Sequence, residues 1–385
     1  MDFKEKTKVA IITNVLPIYR EGFYQRLFSN NNLEITVYCQ ENIKGCNYKT
    51  IHKKYYKNVH LLKSISTDKG LLIWQFIPIL KILKTADIVF VDGNPRILSQ
   101  AIFATFLQLI GKKVVVWSMV HSHINNNFTK NIRIQWLKLF KNHFLYNDLD
   151  IIKLREIGGF ENKNLVAMNN GLDQKKIDNE IANWANEKLT NWQIENNIFN
   201  KTTIVSCGRL IEKNNYVLTI KAIKIIKETI PDILWCCIGD GDQAPFLLKL
   251  VLEEGIENNV KFVGEIYDEA DLCPWFLSSK IFVHPAGIGL SIIQAFGFGL
   301  PLVTHGQANL HGPEYVAFEN HKTGLNYEIN NSSDFADKII QLLENNEKLQ
   351  NTKNYVQDIV RQKYNVDVMS TRFLEMVSKV INQNK

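Results

Sequence analysis

The chain has 385 residues, 45% apolar and 22% charged, an ordinary globular composition and a length that suits two domains rather than one. Its net charge of +6 hides an asymmetry. Residues 1–175 hold 25 Lys and Arg against 13 Asp and Glu, whereas residues 176–385 hold 20 against 26. No tract is repetitive or low in complexity. The six cysteines (39, 46, 207, 236, 237, 273) show neither CxxC spacing nor the density of a secreted scaffold, which fits a reducing cytoplasm.

The opening residues, MDFKEKTKVAIITN, lack the apolar core and cleavage site of a signal peptide. The most apolar windows, 70–84 and 97–111, are shorter than the roughly 20 residues of a spanning helix, so no transmembrane segment is expected. The basic half fits an anionic neighbour such as a membrane face or a phosphate-bearing substrate, or equally a set of solvated lysines.

In chain order, apolar runs alternate with helical patterns. VAIITNV (9–15), EITVYC (34–39), ADIVFVDG (86–93), KKVVVWSMV (112–120), a short run near Phe144–Tyr146 and KNLVAMNNGLD (163–173) are the expected strands of a first half. Helices are expected from about Phe23, over Ile97–Ile110 and through Arg133–Asn142. The Trp74/Phe76 stretch is expected to be an amphipathic helix, either in the core or on a membrane face. Residues 174–200 are polar and helical, with Trp184 and Trp192 spaced to pack on one face. The pattern then restarts. Strands are expected at 202–208, 232–241, 259–265, 280–286 and 300–306, a helix over 214–230, and two last helices at about 333–346 and 352–382. Strands without alternation, in βαβ order, point to two doubly wound parallel sheets facing a cleft.

Five stretches recur in one order over about residues 202–328: VSCGRLIEKNNYVLTIKAI, LWCCIGDGDQAPFL, VKFVGE, FVHPAGIGLSIIQAFGFGLPLVTHG and HGPEYVAFENHKTGLNY. Together they resemble glycosyltransferase family 4, most of all its bacterial members that build cell-surface polysaccharides. The first half matches more loosely, through its opening strand and loop, KKVVVW and NNGLD. The resemblance implies the GT-B fold, with two Rossmann-like domains: an acceptor-binding domain over 1–175, a connection over 176–200 and a donor-binding domain over 201–364. A final helix at about 365–385 is expected to pack back on the first domain. It also implies a retaining, metal-independent transfer of a hexose-type sugar from a nucleoside-diphosphate sugar, with no further cofactor. The acceptor would be a saccharide or lipid-linked saccharide, with no nucleic-acid partner. The place would be the cytoplasm, with peripheral contact to the inner membrane face through the basic half.

A diphosphate leaving group without a metal needs fixed cations and backbone N–H groups. Arg209 and Lys213 follow the strand ending at Gly208 and match the family's two diphosphate cations. Gly287, Ile288, Gly289 and Leu290 lead into a helical pattern, where glycines permit close backbone approach and a helix start favours an anion. The family's two glutamates flanking this turn are here Ala286 and Gln294. Gln294 can still meet ribose hydroxyls, whereas Ala286 offers no carboxylate, so sugar contacts are expected from the Asn309–Glu314 loop. Glu314 matches an acidic family position, with helix capping as the alternative. Glu265 and Ile266 fall in the loop that the resemblance assigns to the base. In the first half, Gly22 is what remains of the family's glycine pair near the diphosphate, and Arg20 faces either a phosphate or acceptor, or solvent. The resemblance places a histidine near the transferred sugar, and His121 is chosen over His123. The pair lacks a third metal ligand, and GDGD (239–242) is expected to be a turn. The replaced glutamates leave a second reading, a non-catalytic partner subunit that keeps nucleotide binding.

Overall fold

The computed structural model describes residues 6–42, 57–67, 72–94, 96–120 and 127–382. The chain divides into two units, residues 1–172 with 366–385, and residues 173–365.

The first unit contains strands β1 (Thr7–Ile12), β2 (Leu33–Cys39), β3 (Val59–Leu61), β4 (Ser64–Ser66), β5 (Ile73–Gln75), β6 (Ile88–Asp92), β7 (Lys113–Ser118), β8 (Asn142–Leu145) and β9 (Asn164–Ala167). Between them run helices α1 (Glu21–Phe28), α2 (Ile79–Thr85), α3 (Leu98–Leu109), α4 (Asn127–Lys138) and α5 (Asp148–Ile157). Seven strands form one sheet in the order β3-β2-β1-β6-β7-β8-β9, and every pair in it is parallel. Val89, Phe90 and Val91 of β6, like Val114, Val115 and Val116 of β7, are buried in succession, because helices cover both faces.

The second unit opens with α6 (Gln174–Ala182) and α7 (Asn186–Glu195). It continues through β10 (Thr202–Cys207), α8 (Tyr216–Thr229), β11 (Ile233–Ile238), α9 (Ala244–Glu253), β12 (Val260–Gly264), α10 (Glu269–Leu277), β13 (Ile281–Val283), α11 (Ser291–Gly297), β14 (Leu302–His305), β15 (Gly324–Tyr327), α12 (Ser332–Glu344) and α13 (Asn346–Lys363). Its six strands are all parallel, in the order β12-β11-β10-β13-β14-β15. Trp192 meets the edges of Trp184 at 6.1 Å and Trp275 at 4.7 Å, tying α7 to α10.

The expected helix over 352–382 is two helices. Asn365 ends α13 by donating from its side-chain amide to the carbonyls of Val360 and Arg361. Then α14 (Val366–Ile381) returns to the first unit, where Met369, Phe373, Met376, Val377 and Val380 are buried. Phe373 stacks on Phe90 at 4.5 Å. At about 1.5–3 kcal/mol per buried side chain, this helix is a major part of the first unit's core.

The expected amphipathic helix around Trp74 and Phe76 is not formed. Residues 73–75 pair antiparallel with β4, and alternation along the strand buries Ile73 and Gln75 while exposing Trp74. Pro78, at the N-cap of α2, holds the helix back to residue 79.

Candidate functional site

The second sheet reverses its winding between β10 and β13, so the segments after these two strands flank a topological switch point, where ligands of such sheets bind. The first segment holds Cys207, Gly208, Arg209 and, in a short 3₁₀ turn, Lys213. Arg209 and Lys213 are both exposed. The loop under them is fixed by its backbone. The Leu210 amide donates to Asp240 O at 2.9 Å, and the Asn214 side chain donates to Arg209 O at 2.7 Å. Gly239 must be glycine, because a Cβ there would lie 1.9 Å from Gly208 O and its φ is +144°. GDGD thus forms the turn beyond β11.

The second segment, 284–290, leads into α11. A Cβ built on Gly208 would lie 3.9 Å from His284 Nε2, so the two loops share one rim. The structure therefore puts Arg209, Lys213, Gly287, Ile288, Gly289 and Leu290 on neighbouring loops at the carboxyl edge of one sheet.

The two glycines of the second loop differ. A Cβ on Gly287 would lie 2.2 Å from Leu310 O, so Gly287 serves the packing of 286–290 against 310–312. A Cβ on Gly289 would meet only Glu314 Oε2, at 3.8 Å, and its backbone is unstrained. Neither packing nor dihedral angle requires glycine there. Ile288 turns inward: its amide donates to His311 Nδ1 at 3.0 Å and its carbonyl accepts from Gly312 N at 2.7 Å. Its N–H is thus committed within the protein. In α11's first turn the Ile292 and Ile293 amides close back on Gly289 O and Leu290 O.

His311 is the centre of this arrangement. It accepts from Ile288 on Nδ1, so its proton sits on Nε2 and is donated to His305 O at 3.0 Å. Its ring stacks on Tyr315 at 3.8 Å and lies 4.1 Å from His305. Desolvation, helped by His305, pushes its pKa down to about 3, and desolvation holds His284 at about 4. Both rings are neutral near pH 7. Within HGPE, the histidine is therefore structural. Glu314, buried in the first turn of a 3₁₀ segment (Pro313–Ala317), turns its carboxylate toward Gly289 and Gly312.

Gln294, in α11, donates from Nε2 toward both oxygens of Glu269 at 3.4 Å. Burial, the largest effect, raises the Glu269 carboxyl pKa, against the pull of Lys176 and Gln294. A carboxylate thus stands beside the position where the resemblance expects one, delivered from α10. No local pattern signals it, since 25 residues separate the pair. Glu265 is exposed and accepts from Tyr267 Oη at 2.6 Å, while Ile266 is half-buried.

In the first unit, Gly22 lies inside the first turn of α1 rather than in a loop, and its carbonyl accepts from Arg26. Arg20 is buried against aromatic rings, not solvent-facing. His121 and His123 lie outside the described residues. Among the described residues no group of three or more His, Cys, Asp or Glu side chains is placed to hold a metal ion. No described helix is long and apolar enough to cross a membrane.

Residues 190–358 match the family model described as "Glycosyl transferases group 1". A lipopolysaccharide core biosynthesis glycosyltransferase, LpsE, of Rhizobium meliloti is 25% identical over 146 residues, 37% of this chain and 40% of that protein. An N-acetyl-alpha-D-glucosaminyl L-malate synthase of Bacillus anthracis is 24% identical over 162 residues, 42% of this chain and 41% of that protein. The chain thus aligns with about two fifths of the length of these relatives. Among solved structures, Anabaena Alr3699/HepE in complex with UDP aligns with 97% of this chain and 100% of its own, at 15% identity and a TM-score of 0.70. A glycosyltransferase from Rickettsia africae aligns with 98% and 99%, at 14% identity and a TM-score of 0.73. The chain therefore has the two-sheet GT-B fold, and its second unit carries the segment similar to glycosyl transferases group 1.

Proposed function

We propose that this chain is a retaining, metal-independent glycosyltransferase that moves a hexose-type sugar from a nucleoside-diphosphate sugar to a saccharide or lipid-linked saccharide in bacterial cell-surface polysaccharide or glycolipid synthesis. One observation carries the proposal. The matched segment, 190–358, contains both loops of the switch point, with Arg209 and Lys213 on one and the open Gly289 on the other. In this reading Arg209 and Lys213 neutralise the diphosphate as the glycosidic bond breaks, and the Gly289–Leu290 backbone approaches it closely. Gln294 and Glu269 meet ribose hydroxyls, Glu314 faces the sugar, and the 264–266 backbone reads the base. A histidine near the transferred sugar, His121, is implied by the family resemblance alone. The leaving phosphate accepts the acceptor's proton, so no base carboxylate is needed. The UDP in the Anabaena neighbour and the lipopolysaccharide role named for the Rhizobium relative support this reading. The exposed Ile65, Trp74, Phe76 and Leu80 and the basic first half fit peripheral contact with the inner membrane face.

The test is calorimetric titration with UDP and GDP, followed by turnover with the corresponding sugars. Lys213→Ala is expected to weaken nucleotide binding about 10–100-fold, the loss of one charge-assisted contact, without unfolding the protein. Unchanged affinity would defeat the assignment. Ala286 and Gln294, in place of carboxylates, favour a second reading as a nucleotide-binding partner subunit; tight binding with no turnover across donors would select it.

A further inference from the structure

The first sheet also reverses its winding, between β1 and β6, and the segments at their carboxyl ends carry Arg20 and Asp92. Arg20 is only 7% exposed. Its guanidinium carbon lies 5.2 Å from the ring centre of Trp117, 5.3 Å from that of Tyr146 and 5.8 Å from that of Tyr19. Trp117 lies at the end of β7 and Tyr146 follows β8, so the cage is built from the carboxyl rim itself. Arg20 Nε is buried with no hydrogen-bond partner among the described residues, and so are Trp117 Nε1 and Ser118 Oγ on the same rim. A guanidinium cannot shed its charge, so burying it with an N–H unmet costs free energy that ring faces offset only in part. Asp92 feels the Arg20 charge while its Oδ1 accepts from the Asn94 amide at 2.9 Å, and the Tyr146 side chain hydrogen-bonds the guanidinium, so Nε is the N–H left unmet.

We propose that this rim binds an oxyanion, a carboxylate or phosphate, carried by the acceptor, with Arg20 as its anchor. The planar guanidinium, held by aromatic faces, offers the fork that suits such groups. The word acceptor rests on the transferase reading; the anion site does not.

The test is thermal unfolding of the full chain in inorganic phosphate or malonate, against chloride at equal ionic strength. At about ten times the dissociation constant, the wild type is expected to melt about 2–4 °C higher. The rise should persist in Lys213→Ala and vanish in Arg20→Met. Arg20→Lys, which keeps the charge without the fork, should retain less than half of it and serves if the methionine variant fails to fold. A rise lost in Lys213→Ala but kept in both Arg20 variants would overturn the proposal, as would no rise at all. Saturating UDP separates the sources. An Arg20-dependent rise that survives UDP supports an acceptor anion; one that UDP abolishes means the donor's own phosphates occupy the rim, and overturns it. If no nucleoside diphosphate, neither UDP nor GDP, binds the wild type, the transferase reading falls while the phosphate result still decides the anion site.

Discussion

Lowering the pH from 7.5 to 5.0 should loosen the second unit and leave the first nearly unchanged. His284 and His311 are held near pKa values of about 4 and about 3, chiefly by desolvation, against an unfolded imidazole near 6.5. The unfolded chain therefore takes protons that the folded chain refuses, so the stability of each neutral ring is complete above about 6.5 and drains as pH falls. At pH 5.0 each ring is about 1.5 pH units below the unfolded value, a loss of about 2 kcal/mol, or about 4 kcal/mol together; His305, also lowered by desolvation, adds to the loss, and Glu269, raised by burial, offsets part of it. In the first unit His143, held at about 4 by burial, loses a similar 2 kcal/mol or so. There, however, burial raises Asp92 and Asp150 to about 6, with the opposite sign. Their charged forms are penalised at pH 7.5, and each recovers about 1 kcal/mol by pH 5.0 as it takes up a proton. Hydrogen exchange read by mass spectrometry, corrected for intrinsic rates, should show β10 and β11 losing protection while β6 and β7 keep theirs. His311→Asn keeps an acceptor for the Ile288 amide but cannot titrate. It is expected to cost about 1–2 kcal/mol at pH 7.5, from the lost stacking and the His305 bond, and to remove about half of the acid sensitivity. Equal protection of β10 at both pH values, or an unaltered acid response in His311→Asn, would refute the reasoning.

The two glycines of the α11 approach should separate structure from binding. Gly289→Ala is expected to leave the melting temperature within about 1 °C of wild type, since its Cβ meets nothing closer than 3.8 Å, while UDP affinity falls at least tenfold by calorimetry. Gly287→Ala forces a Cβ to within 2.2 Å of Leu310 O and should cost about 1–3 kcal/mol in denaturant unfolding. Asp92→Asn removes a carboxylate raised to about 6 from an ordinary value of 3.8, and should stabilise the chain by about 3 kcal/mol at pH 7.5. That gain should disappear by about pH 3.5 in a thermal-unfolding series.

The sheets were legible because their strands are continuous apolar runs, and the switch-point loops because Arg209, Lys213 and the glycines lie at fixed offsets from those runs. What escaped depended on partners distant in the chain. The break at 364–365 was hidden because α13 and α14 both keep helical periodicity, and only the Asn365 cap and the change of unit reveal it. The strand at 73–75 was masked by surrounding leucines and isoleucines, and its pairing with Ser64–Ser66 is tertiary. Arg20 was visible as a cation, but its burial depends on Trp117 and Tyr146, about a hundred residues away or more. The sequence could show that Gln294 replaced a glutamate, yet not that Glu269 reaches the same place.

The return of α14 has a consequence for synthesis. The second unit is a complete interruption of the first: the chain leaves at Leu172, re-enters at Val366, and the Val366 amide donates to Leu172 O at 3.1 Å. On a ribosome the later half can finish its own core before the earlier half has its last helix. The nascent first sheet would therefore wait, with the faces of Phe23, Phe90 and Phe144 uncovered, until Phe373 emerges. That interval is when a chaperone has the most to gain from this protein.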